Sequence, residues 1–314
     1  MNIDYWIPRS TPPAALLLAA LFIAGCGNSG SELDAAQAES IADASYLTAP
    51  LWNDGQAEMA FYRVHRTRNQ YGEPDDQEFL VGTYLVKHDY DPSTEAKAAP
   101  EARDAVSAFK YALFYEFESG SYEYKRNYVI NARQSDLRLL KASFTSFDWC
   151  SNLYREQAVA PSGAVHYLMR SDDYGNRRDT YAYENGSYPP SFLPVLVRAM
   201  AFEGAARLEF GVLLETGEVV GAVAERTGVE TIETEAGLHE AERITVSFDG
   251  DVPSPYAEEA DAVETYWRGT GEERLLLAVE GTSGRYRMEL VEAVRSAYWS
   301  ENVYDRLERV TMRP

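Results

Sequence analysis

Few residues in this chain carry chemistry by type and spacing. They are one cysteine, Cys150, the four histidines and a cluster of carboxylates on an aromatic segment. Cys150 paired with His166 or His88 would give the nucleophile and base of an envelope hydrolase or thiol-dependent enzyme. A reactive thiol needs a neighbouring cation to lower its pKa, and the nearest basic residue, Arg155, stands five positions on. Phe147 and Trp149 instead suggest a buried, free and inert thiol. Glu116 and Glu118 are alternate residues, so on a strand they share a face, opposite Glu123, Lys125 and Arg126 of the next run. Such a pair could do acid–base work, but cross-strand Glu–Lys pairing on a charged outer face is the simpler account. No catalytic residue is assigned.

His65, His88, His166 and His239 are scattered and lack metal-ligand spacing. There are no paired cysteines for zinc, no G-x-S-x-G elbow and no phosphate-cradling G-x-x-x-x-G-K-[ST]. Asp75-Asp76 and Asp172-Asp173 do not fit a calcium loop and read as solvated turns. No metal and no cofactor are expected. A net charge of −21 argues against nucleic acid as a partner and against extended contact with acidic lipid headgroups.

The positioning elements are strands. The 22 Tyr and 12 Phe favour β-structure with one wet face. Ala57–Arg66, Glu78–His88, Ala108–Phe117, Tyr122–Ile130, Leu137–Phe147, Val165–Arg170 and Arg178–Glu184 read as strands separated by turn signals. Seven further runs follow between Arg207 and Val291, and Asp249–Asp261 reads as an acidic, proline-bearing loop. Asp89–Asp104 reads as an exposed, partly helical excursion. Pro189–Phe202 breaks the pattern: a short helix around residues 194–202, capped by Ser191 and ended by Gly204, would plug or cover the sheet. The fold class expected is mainly β, a strongly curved antiparallel sheet or partly closed barrel.

At the N-terminus, Ala14–Ala24 is an uncharged apolar run preceded by Arg9, about half the ~20 residues that a membrane span requires. It ends in Ile23-Ala24-Gly25-Cys26, which resembles the bacterial lipobox. The resemblance implies that Cys26 is acylated and becomes the mature N-terminus, leaving a lipoprotein of 314 − 25 = 289 residues. Its acyl chains, palmitate among them, would anchor it stably to the membrane. Gly27 in place of an inner-membrane retention aspartate favours the outer membrane, facing the periplasm. With Cys26 committed to lipid, Cys150 has no intramolecular partner. The expected division is a signal peptide over 1–25, a flexible linker over 26–50, and two β-rich halves, 51–188 and 189–314, possible as one continuous domain.

Two further similarities rest on short patterns. Asp54-Gly55, Ala57-Glu58, Tyr71-Gly72-Glu73, Ser119-Gly120, Tyr122, Tyr124 and Trp149-Cys150 resemble a family of uncharacterised bacterial lipoproteins. Thr234–Gly237, Tyr266-Trp267 and Gly284–Leu290 are similar to a periplasmic antiparallel-meander family of unknown function. Neither brings an activity. The expectation is a non-enzymatic binding or envelope-assembly module, tethered to the membrane, that takes a hydrophobic ligand or a partner protein.

Overall fold

The computed structural model describes residues 41–70, 73–120, 122–149, 151–202, 204–257, 260–300, 302 and 305. Cys26 and Cys150 lie outside the described residues. The N-terminal half forms β1 (Ala57–Gln70), β2 (Glu73–Asp91), β3 (Ala96–Lys97), β4 (Val106–Ser119), β5 (Tyr122–Arg133), β6 (Leu139–Asp148), β7 (Asn152–Val159), β8 (Ala164–Ser171) and β9 (Gly175–Ala182). The C-terminal half adds β10 (Ser187–Tyr188), β11 (Arg207–Leu213), β12 (Val219–Thr234), β13 (Gly237–Phe248), β14 (Val263–Gly269), β15 (Leu276–Gly281) and β16 (Tyr286–Ser296). All pair in a single curved sheet that does not close, in the order β10-β11-β12-β13-β14-β15-β16-β1-β2-β4-β5-β6-β7-β8-β9, with β3 on the side of β2. The β16–β1 ladder joins the two halves, over Ala57↔Ser296 to Arg66↔Tyr286, with one bulge between Phe61↔Glu292 and Tyr62↔Leu290.

Alternation along the strands sorts the sheet into two faces. On β1, Ala60, Tyr62 and Val64 point into the main core, while Met59 and Phe61 point outward to a small separate cluster with Val291. The inner set continues through Val81 and Phe79 on β2, Leu113 and Tyr115 on β4, and Met288 and Leu290 on β16. The outer cluster is covered by the C-terminal 3-10 turn Tyr298–Ser300, whose Tyr298 ring sits 5.2 Å from that of Tyr84.

Two elements fill much of the inner face. Helix α2 (Leu193–Ala199) follows α1 (Ala44–Leu47) in the chain, and every one of its residues is buried. It starts and ends earlier than the sequence suggests. Ser191 does not cap it: a 3-10 turn, Pro190–Phe192, leads in with no side-chain cap. At its end, Arg268 Nη1 donates to the carbonyls of Val197 (3.0 Å), Arg198 (3.2 Å) and Met200 (2.9 Å), occupying acceptors that a helix end leaves open. The backbone N–H of Asp43 takes the Ala199 carbonyl at 2.7 Å. Residues 41–50, expected in the linker, are thus built into the fold: Tyr46 and Leu47 are buried, and Ala42 bridges to Met200.

The second filler is the segment between β13 and β14. Read from sequence as an acidic loop, it instead sinks Val252, Pro255 and Tyr256 into the interior. Tyr115 Oη donates to the Pro255 carbonyl at 2.6 Å and Arg66 Nη1 to that of Tyr256 at 3.4 Å. Three smaller differences also have local causes. β12 runs on through Thr227-Gly228, with Thr227 the extra residue of a bulge between Arg226↔Ile244 and Gly228↔Arg243. β7 was not foreseen. Asp89–Asp104 holds no helix, only the end of β2 and the two-residue β3.

Candidate binding face

What remains of the inner face is the part carried by β5–β9. One register row crosses it: Leu113, Tyr128, Phe144, Arg155, Met169 and Arg177 are consecutive cross-strand partners. With strands about 4.8 Å apart, the stretch from Tyr128 to Arg177 covers roughly 19 Å. Each arginine here lies on an aromatic ring. Arg155 sits 4.4 Å from the Phe144 centre, Arg177 5.6 Å from Tyr167, and Arg126, one row away, 5.1 Å from Phe117. Arg66 enters from β1 and covers both Phe117 (4.3 Å) and Phe79 (4.9 Å). Tyr128 and Phe144 pack at 4.5 Å beneath them. A guanidinium stacked on a ring can still hydrogen-bond through its edge; Arg66 spends that edge on Gln77 and the Tyr256 carbonyl.

The turn joining β11 to β12 reaches into this face. Glu215 pairs with Arg155 through Nη1, and the Leu214 carbonyl accepts from Gln157 Nε2 at 3.1 Å. Tyr181 closes on Gly217 in the same turn, where a Cβ would stand 2.8 Å from the ring. These contacts bring the two ends of the sheet near one another without a ladder between them. Arg155 Nε stays buried without a hydrogen-bond partner. Arg177 pairs with Asp179 at 2.9 Å on an exposed surface, where such a pair contributes little. Burial pushes the Glu215 carboxyl pKa up, and Arg155 works against that shift. Glu215 thus occupies one end of the Arg155 guanidinium.

Elsewhere the inner face is structural. Glu58 and Arg198 form a bidentate pair at 2.6 and 2.7 Å, both 4% exposed, and Arg198 also donates to the carbonyls of Arg274 (2.8 Å) and Glu273 (2.7 Å). Each of its three nitrogens has a fixed partner, so it braces α2 against the sheet. Glu264 accepts from the hydroxyls of Tyr266 and Tyr286. Burial raises its pKa, the tyrosines and Ser254 lower it, and nearby Asp261 raises it again, for a net rise.

Among the described residues, those singled out from sequence do not come together. Glu116 lies on the outer face and pairs with Lys125 at 2.8 Å, while Glu118 stands opposite Glu123. This is the cross-strand arrangement, with no catalytic dyad. His88 and His166 sit toward the rim opposite the turn that joins β6 to β7, His88 bound to Asn131 Oδ1 at 2.9 Å and His166 exposed beside Thr180. Cys150 itself is not described. Of its neighbours, Phe147 is 54% exposed and Trp149 84%. Asp172 instead organises a turn, accepting from the Asn152 N–H at 3.1 Å. Among the described residues no three His, Cys, Asp or Glu side chains converge as a metal set, and no helix is long and apolar enough to cross a membrane. The arginines were missed because their aromatic platforms belong to neighbouring strands; only Tyr124-x-Arg126, two residues apart on one strand, left a sequence trace.

No protein-family model matches the chain, and no curated protein matches it. Among solved structures, the chain is similar to a crystal structure of a beta-barrel-like protein of domain of unknown function DUF1849 from Brucella abortus. The identity is 7%, with 77% of this chain and 98% of that chain covered, at a TM-score of 0.47.

Proposed function

We propose that this protein is a non-enzymatic binding module of the bacterial envelope, tethered through acylated Cys26 to the periplasmic face of the outer membrane. Its ligand is an anionic amphiphile, held on the inner face of β5–β9. The observation that carries this reading is the row of arginines laid on aromatic rings, with a buried and unpartnered Arg155 Nε, inside a chain of net charge −21. Guanidinium forks take the acidic headgroup. Tyr128 and Met169, both half-buried, offer apolar surface to the tail. An uncharged apolar ligand would leave the arginines without a role, and a nucleic acid would meet repulsion over the rest of the surface.

Calorimetric titration with dodecyl phosphate and dodecyl maltoside tests the reading. A hydrogen bond to a charged group contributes about 1.5–3 kcal/mol, so the phosphate should bind at least about tenfold tighter. Arg155→Gln with Arg177→Gln should erase that preference. Equal affinity for the two amphiphiles, or a preference untouched by the double substitution, refutes the headgroup assignment. Palmitate labelling in cells that survives Cys26→Ser refutes the tether.

A further inference from the structure

A second cleft, about 460 Å³ in volume, opens at the helical rim and shares no lining residue with the β5–β9 face. It forms where the 3-10 turn Pro50–Asn53, the end of β2, the excursion after β3 and the C-terminal turn Tyr298–Ser300 meet. Its chemistry is unusual for this chain. There are only five lysines in 314 residues, and two of them, Lys87 and Lys97, line the cleft. A third, Lys110, sits in the next strand beside Val86, near enough for its charge, with that of Lys97, to act on His88. Burial comes first among the causes that lower the His88 pKa, and Lys110 and Lys97 add to it, so the ring is neutral at pH 7. One acid, Asp89, lines the same space. Lys87 Nζ is oriented by Asn53 Oδ1 at 2.6 Å, and His88 Nε2 is held by Asn131 Oδ1 at 2.9 Å, so both side chains are fixed before any ligand arrives. Trp299, 60% exposed, forms a wall of the cleft.

We infer that this cleft binds a small organic anion bearing a planar ring, its acidic group between Lys87 and Lys97 and its ring on Trp299. The lysines supply charge-assisted hydrogen bonds. The half-exposed tryptophan supplies a flat apolar surface that gains from being covered. The surrounding negative surface restricts entry to anions small enough to fit inside the lysine field, which excludes polyanions.

Phenyl phosphate is the probe, followed by tryptophan fluorescence and calorimetry, with benzyl alcohol as the neutral ring and inorganic phosphate as the ringless anion. Phenyl phosphate is expected to bind saturably, at least about tenfold tighter than either control. The Lys97 side chain is exposed, and its place in the β3 ladder is held through the backbone, so Lys97→Gln should weaken phenyl phosphate about tenfold with an unchanged melting temperature. Trp299→Phe should remove the fluorescence response while calorimetry still reports binding. Arg155→Gln should change nothing, which separates this cleft from the inner-face site. Failure to saturate below about 10 mM, an affinity indifferent to Lys97→Gln, or an equal loss with Arg155→Gln each overturns the assignment.

Discussion

Breaking the Glu58–Arg198 brace should damage this fold more than any other single polar change. Both side chains are 4% exposed and exchange two charge-assisted hydrogen bonds of 2.6 and 2.7 Å. Removing one partner of such a pair leaves an uncompensated buried charge, at about 3–5 kcal/mol. Arg198→Met also leaves the carbonyls of Glu273 and Arg274 without this donor, a further ~1–3 kcal/mol for each that water does not reach. Glu58→Gln keeps one acceptor and should cost the lower figure. At about 2–4 °C per kcal/mol for a domain of this size, Glu58→Gln should lower the melting temperature by roughly 6–12 °C, and Arg198→Met by more. Urea titrations of Glu58→Leu, Arg198→Met and the double variant form the cycle. The double variant should be more stable than Arg198→Met alone, because two apolar side chains then meet where a lone carboxylate stood. If Glu58→Gln falls within about 0.5 kcal/mol of the native protein, or the double variant equals the sum of its singles, the brace contributes nothing and α2 is held by its apolar contacts alone.

Three further outcomes follow from named contacts. Glu264 has its folded pKa raised above the ordinary 4.5, so its contribution to stability is present below that value and lost as pH rises through the folded pKa; Glu264→Gln should flatten stability against pH across that interval, and an unchanged slope contradicts its burial. Asp43 behaves oppositely. Burial works to raise its pKa, but bonds from Ser45, Arg274 and the Tyr46 backbone bring it down to about 2, so Asp43→Asn should remove a stability increment that the native protein loses only as pH falls from 3.8 toward 2. At Gly281 a Cβ would stand 2.1 Å from Asp261 Oδ2 and 2.6 Å from the Tyr286 ring, so Gly281→Ala should destabilise by about 1–3 kcal/mol in urea unfolding, whereas Gly228→Ala, with open space around it, should not.

The fold class was legible because period-two alternation and glycine-bearing turns survive in single segments. Ala108–Phe117 and Tyr122–Ile130, with Ser119-Gly120 between them, became the β4–β5 hairpin. The plug helix was legible too, since Leu193–Val197 is an unbroken apolar run that reads as interior. β7 was hidden because Asn152–Val159 mixes Arg155, Glu156 and Gln157, polar residues whose partners lie elsewhere in the chain: Glu215 and the Leu214 carbonyl for Arg155 and Gln157, Lys141 for Glu156. The loop before β14 misled for a similar reason. Asp249, Asp251 and Asp261 announce solvent, but Tyr256 between them is tied inward by Tyr115 and Arg66. The candidate face is assembled from Arg66, Arg126, Arg155 and Arg177, which are spread over four strands, so no linear spacing could mark it.

Glu215 bears on how the face would be used. It occupies Arg155 in the ligand-free protein, so Glu215→Gln should raise the affinity for dodecyl phosphate several-fold by removing an internal competitor. An unchanged or weaker affinity would mean that the anion does not reach Arg155.

The most direct measurement is arginine footprinting with phenylglyoxal, read by mass spectrometry, with and without saturating dodecyl phosphate. The expected result is protection of Arg126, Arg155 and Arg177, with Arg207 and Arg243, exposed on other strands, modified equally in both samples. Protection confined to arginines outside the β5–β9 face, or no protection at saturation, would contradict the proposal that this face is the binding site.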